Sequence, residues 1–274
     1  MKPHMVTLQG SNRFHIRHTE STDAMTTSEV RNTVLSAYNR DEAIEKLRNN
    51  LVVQAAVTPN FNPTVILQAI PLTEPTEPWN VYSTEVENVL RGNAREGQFV
   101  PQLTLRAMST PTVDVEEVFA ENTSLSHGDT WKIGVRANGH VYLVYKGLQV
   151  SPEITFGNSL PLTYPYFSSF YNQIFCSFGA IVDDLLNQTG SAHGCRIYCQ
   201  LQHVGNLTLY RSDMDGGQGN YFGPLDRTEL QWPIRNVPPG SSIEQACSHM
   251  GETIYQAFHV LPRSDELKVR GSTG

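Results

Sequence analysis

Between Tyr164 and Gln188 the residues Phe167, Phe170, Tyr171, Ile174, Phe175, Phe178, Ile181, Val182, Leu185 and Leu186 recur at intervals of three and four. That is the spacing of one apolar helix face. Pro165 fits the first turn, where its missing N–H wastes no hydrogen bond, and Gly190 offers a stop. A helix of about twenty-two residues is a rod of roughly 33 Å, and a stripe of that length needs a sheet to bury it. The next segment supplies one. Cys195 to Val204 alternates Ile197, Cys199 and Leu201 against Arg196, Tyr198 and Gln200, as a strand does. Gly205-Asn206 is read as the turn of a hairpin into a second strand, Leu207 to Arg211.

A chain of 274 residues can bury a core without metals or disulfides. Cys176, Cys195, Cys199 and Cys247 show no paired metal spacing, so they are read as buried thiols of a reducing compartment. The first ten residues lack the apolar run of a signal peptide and no run approaches eighteen apolar residues, so the expectation is a soluble, cytoplasmic chain with no membrane partner. The net charge of −7 excludes a surface basic all over and confines any nucleic-acid contact to a local patch.

Arg13 to His18 alternates Phe14 and Ile16 with Arg13, His15 and Arg17, the pattern of a half-buried strand with a cationic outer face. Thr26 and Glu29 form a capping box ahead of the stripe Val30, Val34, Leu35 and Tyr38. Asp41 to Asn49, with Ile44 and Leu47 among charges, reads as a solvated helix or a continuation of that one. The run from Arg13 to Thr26, with Glu29-Val30-Arg31, resembles the closing strand and following helix of the AlbA_2 domain, a domain assigned to DNA binding and shared with the Schlafen proteins. Phe14, Arg17, Ser21, Thr22, Met25, Thr26, Glu29, Val30 and Arg31 occupy the matching places, whereas Thr19 stands where the family has a small residue, often Gly. The resemblance covers about thirty-five residues. It implies nucleic-acid contact, and it makes Arg13, Arg17 and Arg31 the cations that would meet phosphates, if they are not ordinary surface charges. The acidic residues that support metal-dependent RNA cleavage in some members lie upstream of this tail, so no such activity carries over. The expectation is that the chain is a piece of a longer protein, or that its N-terminal strand and helix serve only as packing.

From Leu51 onward a second domain is expected. Leu51 to Val57 and Thr64 to Pro71 read as strands, Thr84 with Glu87 as the cap of a short helix through Leu90, and Gln98 to Arg106 as an edge strand. Asp114 to Phe119 reads as one helical turn. Trp131 to Lys146 reads as a hairpin with a type I′ turn at Asn138-Gly139. Trp131, Ile133, Val135, Val141, Leu143 and Tyr145 would face the core, with Lys132, Arg136, Tyr142 and Lys146 opposite. Cations beside an aromatic ring are what single-stranded nucleic acid uses, and are also ordinary solvent-facing chemistry. Lys132 and Arg136 therefore complete the candidate contact residues. Ser241 with Glu244 caps a final helix, whose stripe runs from Ile243 to Phe258.

No catalytic constellation is read from the sequence. The glycine-rich stretch Asp213 to Gly223 lacks the residues that make a phosphate loop and reads as a surface loop. His15 and His18, three apart on a strand, fall on opposite faces. His193 and Cys195 lack the partner motif of a zinc deaminase, and no nucleophile elbow accompanies Ser241 and His249. Asp183 and Asp184 diverge by about 100° on the long helix and read as its wet face. No metal or cofactor is assigned.

These readings converge on an α+β chain: a mostly antiparallel sheet covered by two long helices, with a small N-terminal strand-helix segment. The division is 1–50, 51–262 and a polar tail 263–274. The expected function is that of a non-catalytic accessory domain of an AlbA_2 or Schlafen-like protein, binding DNA or RNA or assembling with partners. Two alternatives stand beside it. One is a portion of a metal-dependent nuclease or nucleotide-using enzyme with its catalytic residues upstream. The other is a structural module that forms homo-oligomers.

Overall fold

A computed structural model describes residues 4–8, 11–17, 22–24, 35, 40–50, 63–73, 75, 77–90, 111–114, 117–122, 130–146, 160–162, 166–189, 194–205, 207–211 and 220–263. The chain divides into two compact units, Met1–Gln54 and Ala55–Gly274. The expected strands Leu51 to Val57 and Gln98 to Arg106, the Thr26–Glu29 capping box, and most of the glycine-rich stretch lie outside the described residues.

In the N-terminal unit, β1 (His4–Leu8), β2 (Ser11–Arg17) and β3 (Thr22–Ala24) form a three-stranded antiparallel sheet in that order. Residues 40–50 are helical (α1). Ile44 is its buried residue, and Glu42–Lys46 and Glu45–Arg48 ion pairs run along its surface.

The second unit is built on an eight-stranded antiparallel sheet. Its elements are β4 (Thr64–Pro71), α2 (Thr84–Leu90), β5 (Thr112–Val113), β6 (Glu117–Asn122), β7 (Thr130–Arg136), β8 (Val141–Lys146), β9 (Leu160–Leu162), α3 (Tyr166–Gln188), β10 (Cys195–Gln202), β11 (Leu207–Arg211), β12 (Asn220–Phe222), β13 (Glu229–Gln231), β14 (Arg235–Val237), α4 (Ile243–Ser248) and α5 (Glu252–Ala257). The strand order is β13-β10-β4-β8-β7-β6-β5, with β14 also on β10. The expected α+β architecture with a mainly antiparallel sheet is what the structure shows.

One sheet face carries Val65, Leu67 and Ala69 of β4, the six predicted hairpin residues from Trp131 to Tyr145, and Cys195, Ile197, Cys199 and Leu201 of β10. These join one core cluster with Ile174, Phe175, Phe178, Val182 and Leu185 of α3 and with apolar residues of α2, α4 and α5. Each such side chain removed from water contributes ~1.5–3 kcal/mol. The other face is buried as well, through Ile66, Gln68, Ile70, Tyr142, Val144 and Tyr198. Every residue of β4 is therefore buried, which is why its sequence shows a continuous apolar run and no alternation. All four cysteines are buried free thiols. Burial first, and then the charge of Glu244 or Asp183, pushes Cys176 and Cys195 up to about 12.

Several local expectations are corrected. β11 does not pair with β10; it pairs with β12 and, in parallel, with β9. Both edges of β10 are occupied, one by β4 and the other by β13 and β14. Between those two, Pro233 has no N–H to give the ladder, so the partner strand is split. Asp114 to Phe119 is not a helical turn, because Thr112 and Val113 pair with Phe119 and Val118 across a short hairpin. The 136–140 turn is not type I′ either. Gly139 N donates to Arg136 O and Arg136 N to His140 O, and in this turn Gly139 alone has a positive φ, of 80°. That geometry is a three-residue loop with the glycine in the left-handed position.

The second covering helix is also different: α4 and α5 replace one long rod. Its cap is Ser242, one residue beyond the expected Ser241, accepting from Gln245 N. Similarly, Ser83 rather than Thr84 opens α2, accepting from Val86 N at 3.3 Å. Asp183 does not mark a wet face. Its carboxylate accepts from Ser242 Oγ (2.7 Å), Ile243 N (2.8 Å) and Glu244 N (3.1 Å), and so closes the N-terminus of α4 from the side of α3. One turn earlier, Gly179 lets α4 approach so closely that a Cβ there would lie 2.5 Å from Glu244 Cα. Gly179→Ala should therefore push α4 off α3 and cost on the order of 1–3 kcal/mol. The urea midpoint of the variant measures this, and an unchanged midpoint would contradict the close packing.

Candidate functional site

The five candidate cations fall into two groups. Arg31 lies outside the described residues. Arg13 and Arg17 are both in β2, where Arg13 is opposite Val6 and Arg17 opposite Thr22. Residues paired across an antiparallel ladder share a face. The face that carries Arg13 and Arg17 therefore also carries His15 and its direct partner His4. His4 was not singled out by sequence because Met1 to Gly10 shows no alternation of its own. Phe14 and Ile16 fall on the opposite face with Asp23. Among the described residues of this sheet, the arginine face carries no carboxylate.

In the second unit, Lys132 and Arg136 are two positions apart on each side of Gly134 on β7, and β6 brings Glu117 beside them. Lys132 Nζ lies 3.1 Å from Glu117 Oε1 and Arg136 Nε lies 3.1 Å from Oε2. Tyr142 donates its hydroxyl to Glu117 Oε1 at 3.0 Å. Lys132 Nζ also sits 3.6 Å from the Phe119 ring centroid, a cation–π distance. Gly134 makes room for this arrangement: the Tyr142 ring lies where its Cβ would be. The two cations are thus committed to one carboxylate. Burial alone would raise the Glu117 carboxyl, but hydrogen bonds from Arg136 and Lys132, with the Lys132 charge, outweigh it and hold it below the usual range. Burial, then Glu117, raises the Tyr142 phenol, so it stays a protonated donor.

Beside this node His140 is wholly buried. Its Nε2 lies 3.2 Å from Gln68 Oε1. Because that oxygen only accepts, Nε2 carries the proton and Nδ1 is a bare acceptor, which has no hydrogen-bond partner. Burial, then the neighbouring Arg136 charge, lowers His140 to about 3, so the ring is neutral. Sequence reading missed Glu117 because it was placed in a helical turn. It missed His140 and Gln68 because their strands are distant in the chain and meet only in the sheet.

The cluster ties β6, β7 and β8 together through one carboxylate. Among the described residues no three His, Cys, Asp or Glu side chains gather to hold a metal ion, and no described helix is long and apolar enough to cross a membrane. Glu117→Gln leaves Lys132 and Arg136 without a counter-charge in a largely buried setting and should cost on the order of 1–3 kcal/mol, read as a lowered urea midpoint.

The stability of the unit should also depend on pH. The unfolded His140 takes up its proton near pH 6.5, whereas the folded one does so only at about 3. Its contribution is therefore complete above pH 6.5 and is lost as pH falls from 6.5 towards 3. Each tenfold change in proton affinity is worth ~1.4 kcal/mol. His140→Gln, which keeps a donor for Gln68, should flatten the fall in stability between pH 6.5 and pH 4.5. An equal fall in both proteins would remove His140 from that dependence. Compared with known proteins, the chain matches no family profile, no curated protein and no solved structure.

Proposed function

We propose that this chain is a non-catalytic module that binds nucleic acid through its phosphate backbone, with the β1-β2-β3 sheet as the contact face. One observation carries the reading. The strand register gathers Arg13, Arg17, His4 and His15 on one face, with no carboxylate among the described residues of that face. Phosphate neutralisation needs cations that are not already held by carboxylates, since an existing ion pair must be broken before a phosphate can take its place. Lys132 and Arg136 are so held by Glu117, which makes the hairpin the weaker candidate for phosphate contact. A chain of net charge −7 repels a polyanion overall, so a local face of one sign is the form the contact takes. The resemblance to the closing strand of the AlbA_2 domain points the same way.

The test compares two double variants. Arg13→Ala with Arg17→Ala should weaken binding to a fluorescent duplex by about tenfold or more at low salt. It should also reduce the slope of log affinity against log salt by about 1–2. Lys132→Ala with Arg136→Ala should leave both nearly unchanged in protein that remains folded. Native affinity in the Arg13/Arg17 variant would remove the N-terminal sheet from nucleic-acid binding.

A further inference from the structure

We propose that Asn138 is a modification site, an asparagine whose spontaneous deamidation is held back by the β7–β8 turn and proceeds when that turn opens. The proposal stands on the hairpin alone and is independent of the nucleic-acid reading.

The chemistry belongs to the residue pair. Asn138-Gly139 is the sole Asn-Gly sequence of the chain. The backbone nitrogen of Gly139 attacks Cγ of Asn138, an N–Cγ bond forms, the Cγ–Nδ2 bond breaks, and ammonia leaves with the proton that Gly139 N gives up. Water then opens the cyclic imide at either carbonyl. One opening leaves an aspartate, the other a β-linked aspartate whose backbone is one carbon longer. Water is the sole co-reactant and nothing is oxidised. Glycine favours the attack because it has no Cβ to crowd the nucleophile.

Asn138 is exposed, so water reaches its side-chain amide. Both reacting groups are nevertheless engaged in the fold. Gly139 N donates to Arg136 O at 2.9 Å, and Asn138 Oδ1 accepts from His140 N at 3.1 Å. Gly139 is buried, and a Cβ there would lie 2.8 Å from the Pro71 side chain and 3.3 Å from the Trp79 ring. The loop is also pinned from both sides, because Trp79 N donates to Ala137 O at 2.8 Å and Arg136 N to His140 O at 2.9 Å. Attack requires Gly139 N to lose its proton and its peptide plane to turn towards Cγ, so the bond to Arg136 O must break first. The side chain must also leave His140 N. Each hydrogen bond that has to break slows the reaction by about fivefold, so the folded chain should react roughly twentyfold or more slowly than the unfolded one.

The two products differ in consequence. An aspartate keeps an acceptor for His140 N. A β-linked residue lengthens the three-residue loop and loses the spacing that its backbone bonds need.

The experiment incubates the full chain at mildly alkaline pH, once folded and once unfolded in guanidinium chloride. Peptides that contain residue 138 are followed by mass spectrometry, which reads the change from amide to carboxyl, with the other asparagines as internal references. Asn138 should be modified in the unfolded chain and roughly twentyfold or more slowly in the folded one. Ala137→Gly loosens the first loop position without altering either reacting residue. It should speed the folded reaction by about two- to fivefold and leave the unfolded rate unchanged. Asn138→Asp should keep the native urea midpoint. Equal rates in the folded and unfolded chains, or a folded rate that Ala137→Gly does not raise, overturn the control by the turn. An unfolded chain that keeps its Asn138 amide overturns the site itself.

Discussion

A sheet buried on both faces has to satisfy its polar side chains from within, since a buried donor or acceptor without a partner costs ~1–3 kcal/mol. In this chain the constraint falls on the face opposite the long helix. Gln68, His140 and Tyr142 are buried there among Ile66, Ile70 and Val144. Glu117 answers part of the demand: its carboxylate accepts from the Tyr142 hydroxyl and also holds Lys132 and Arg136. Gln68 fixes the tautomer of His140. Part-buried hydrogen bonds thus tie to one carboxylate two cations that, on a β-hairpin in isolation, resemble a ligand-binding face.

On the other face the same sheet is covered by helices whose spacing is set by one small residue. Gly179 allows α4 to rest against α3, and Asp183, one turn on, supplies acceptors for the Ser242 hydroxyl and for two N–H groups at the start of α4. Trp232 ties the following segment down, donating its indole N–H to Met250 O at 2.8 Å while its ring meets Phe175 edge to face. A short helix has little stability of its own. Here α4 is held by its neighbours' caps and side chains more than by its sequence.

Charge is distributed differently in the two units. In the second, the cations at the hairpin are neutralised by a carboxylate whose own proton affinity is lowered by them. In the first, the strand register places arginines and histidines together with no acid among the described residues of that face. The proposed phosphate contact is placed on the first of these faces.

How much was legible in the sequence depended on the range of the interactions. The long helix, the strand Thr64–Pro71, the hairpin from Trp131 to Lys146 and its core-facing residues follow from periodicity and turn residues, which are local signals. The antiparallel α+β class follows from their sum. Local signals failed where distant elements compete. Leu207 to Arg211 has the look of a hairpin partner for β10, yet β4 and β13 hold both edges of β10, and only the assembled sheet could exclude it. Asp183 could not be recognised as a cap for a helix about sixty residues away. Nor could Glu117 be paired with Arg136 before β6 met β7. The amino-acid pattern by itself determined the long helix, the main strands and their apolar faces, because those depend on neighbours two to four residues apart. Tertiary structure alone decided which charges are satisfied and which stand together, because charge pairing depends on which strands become neighbours.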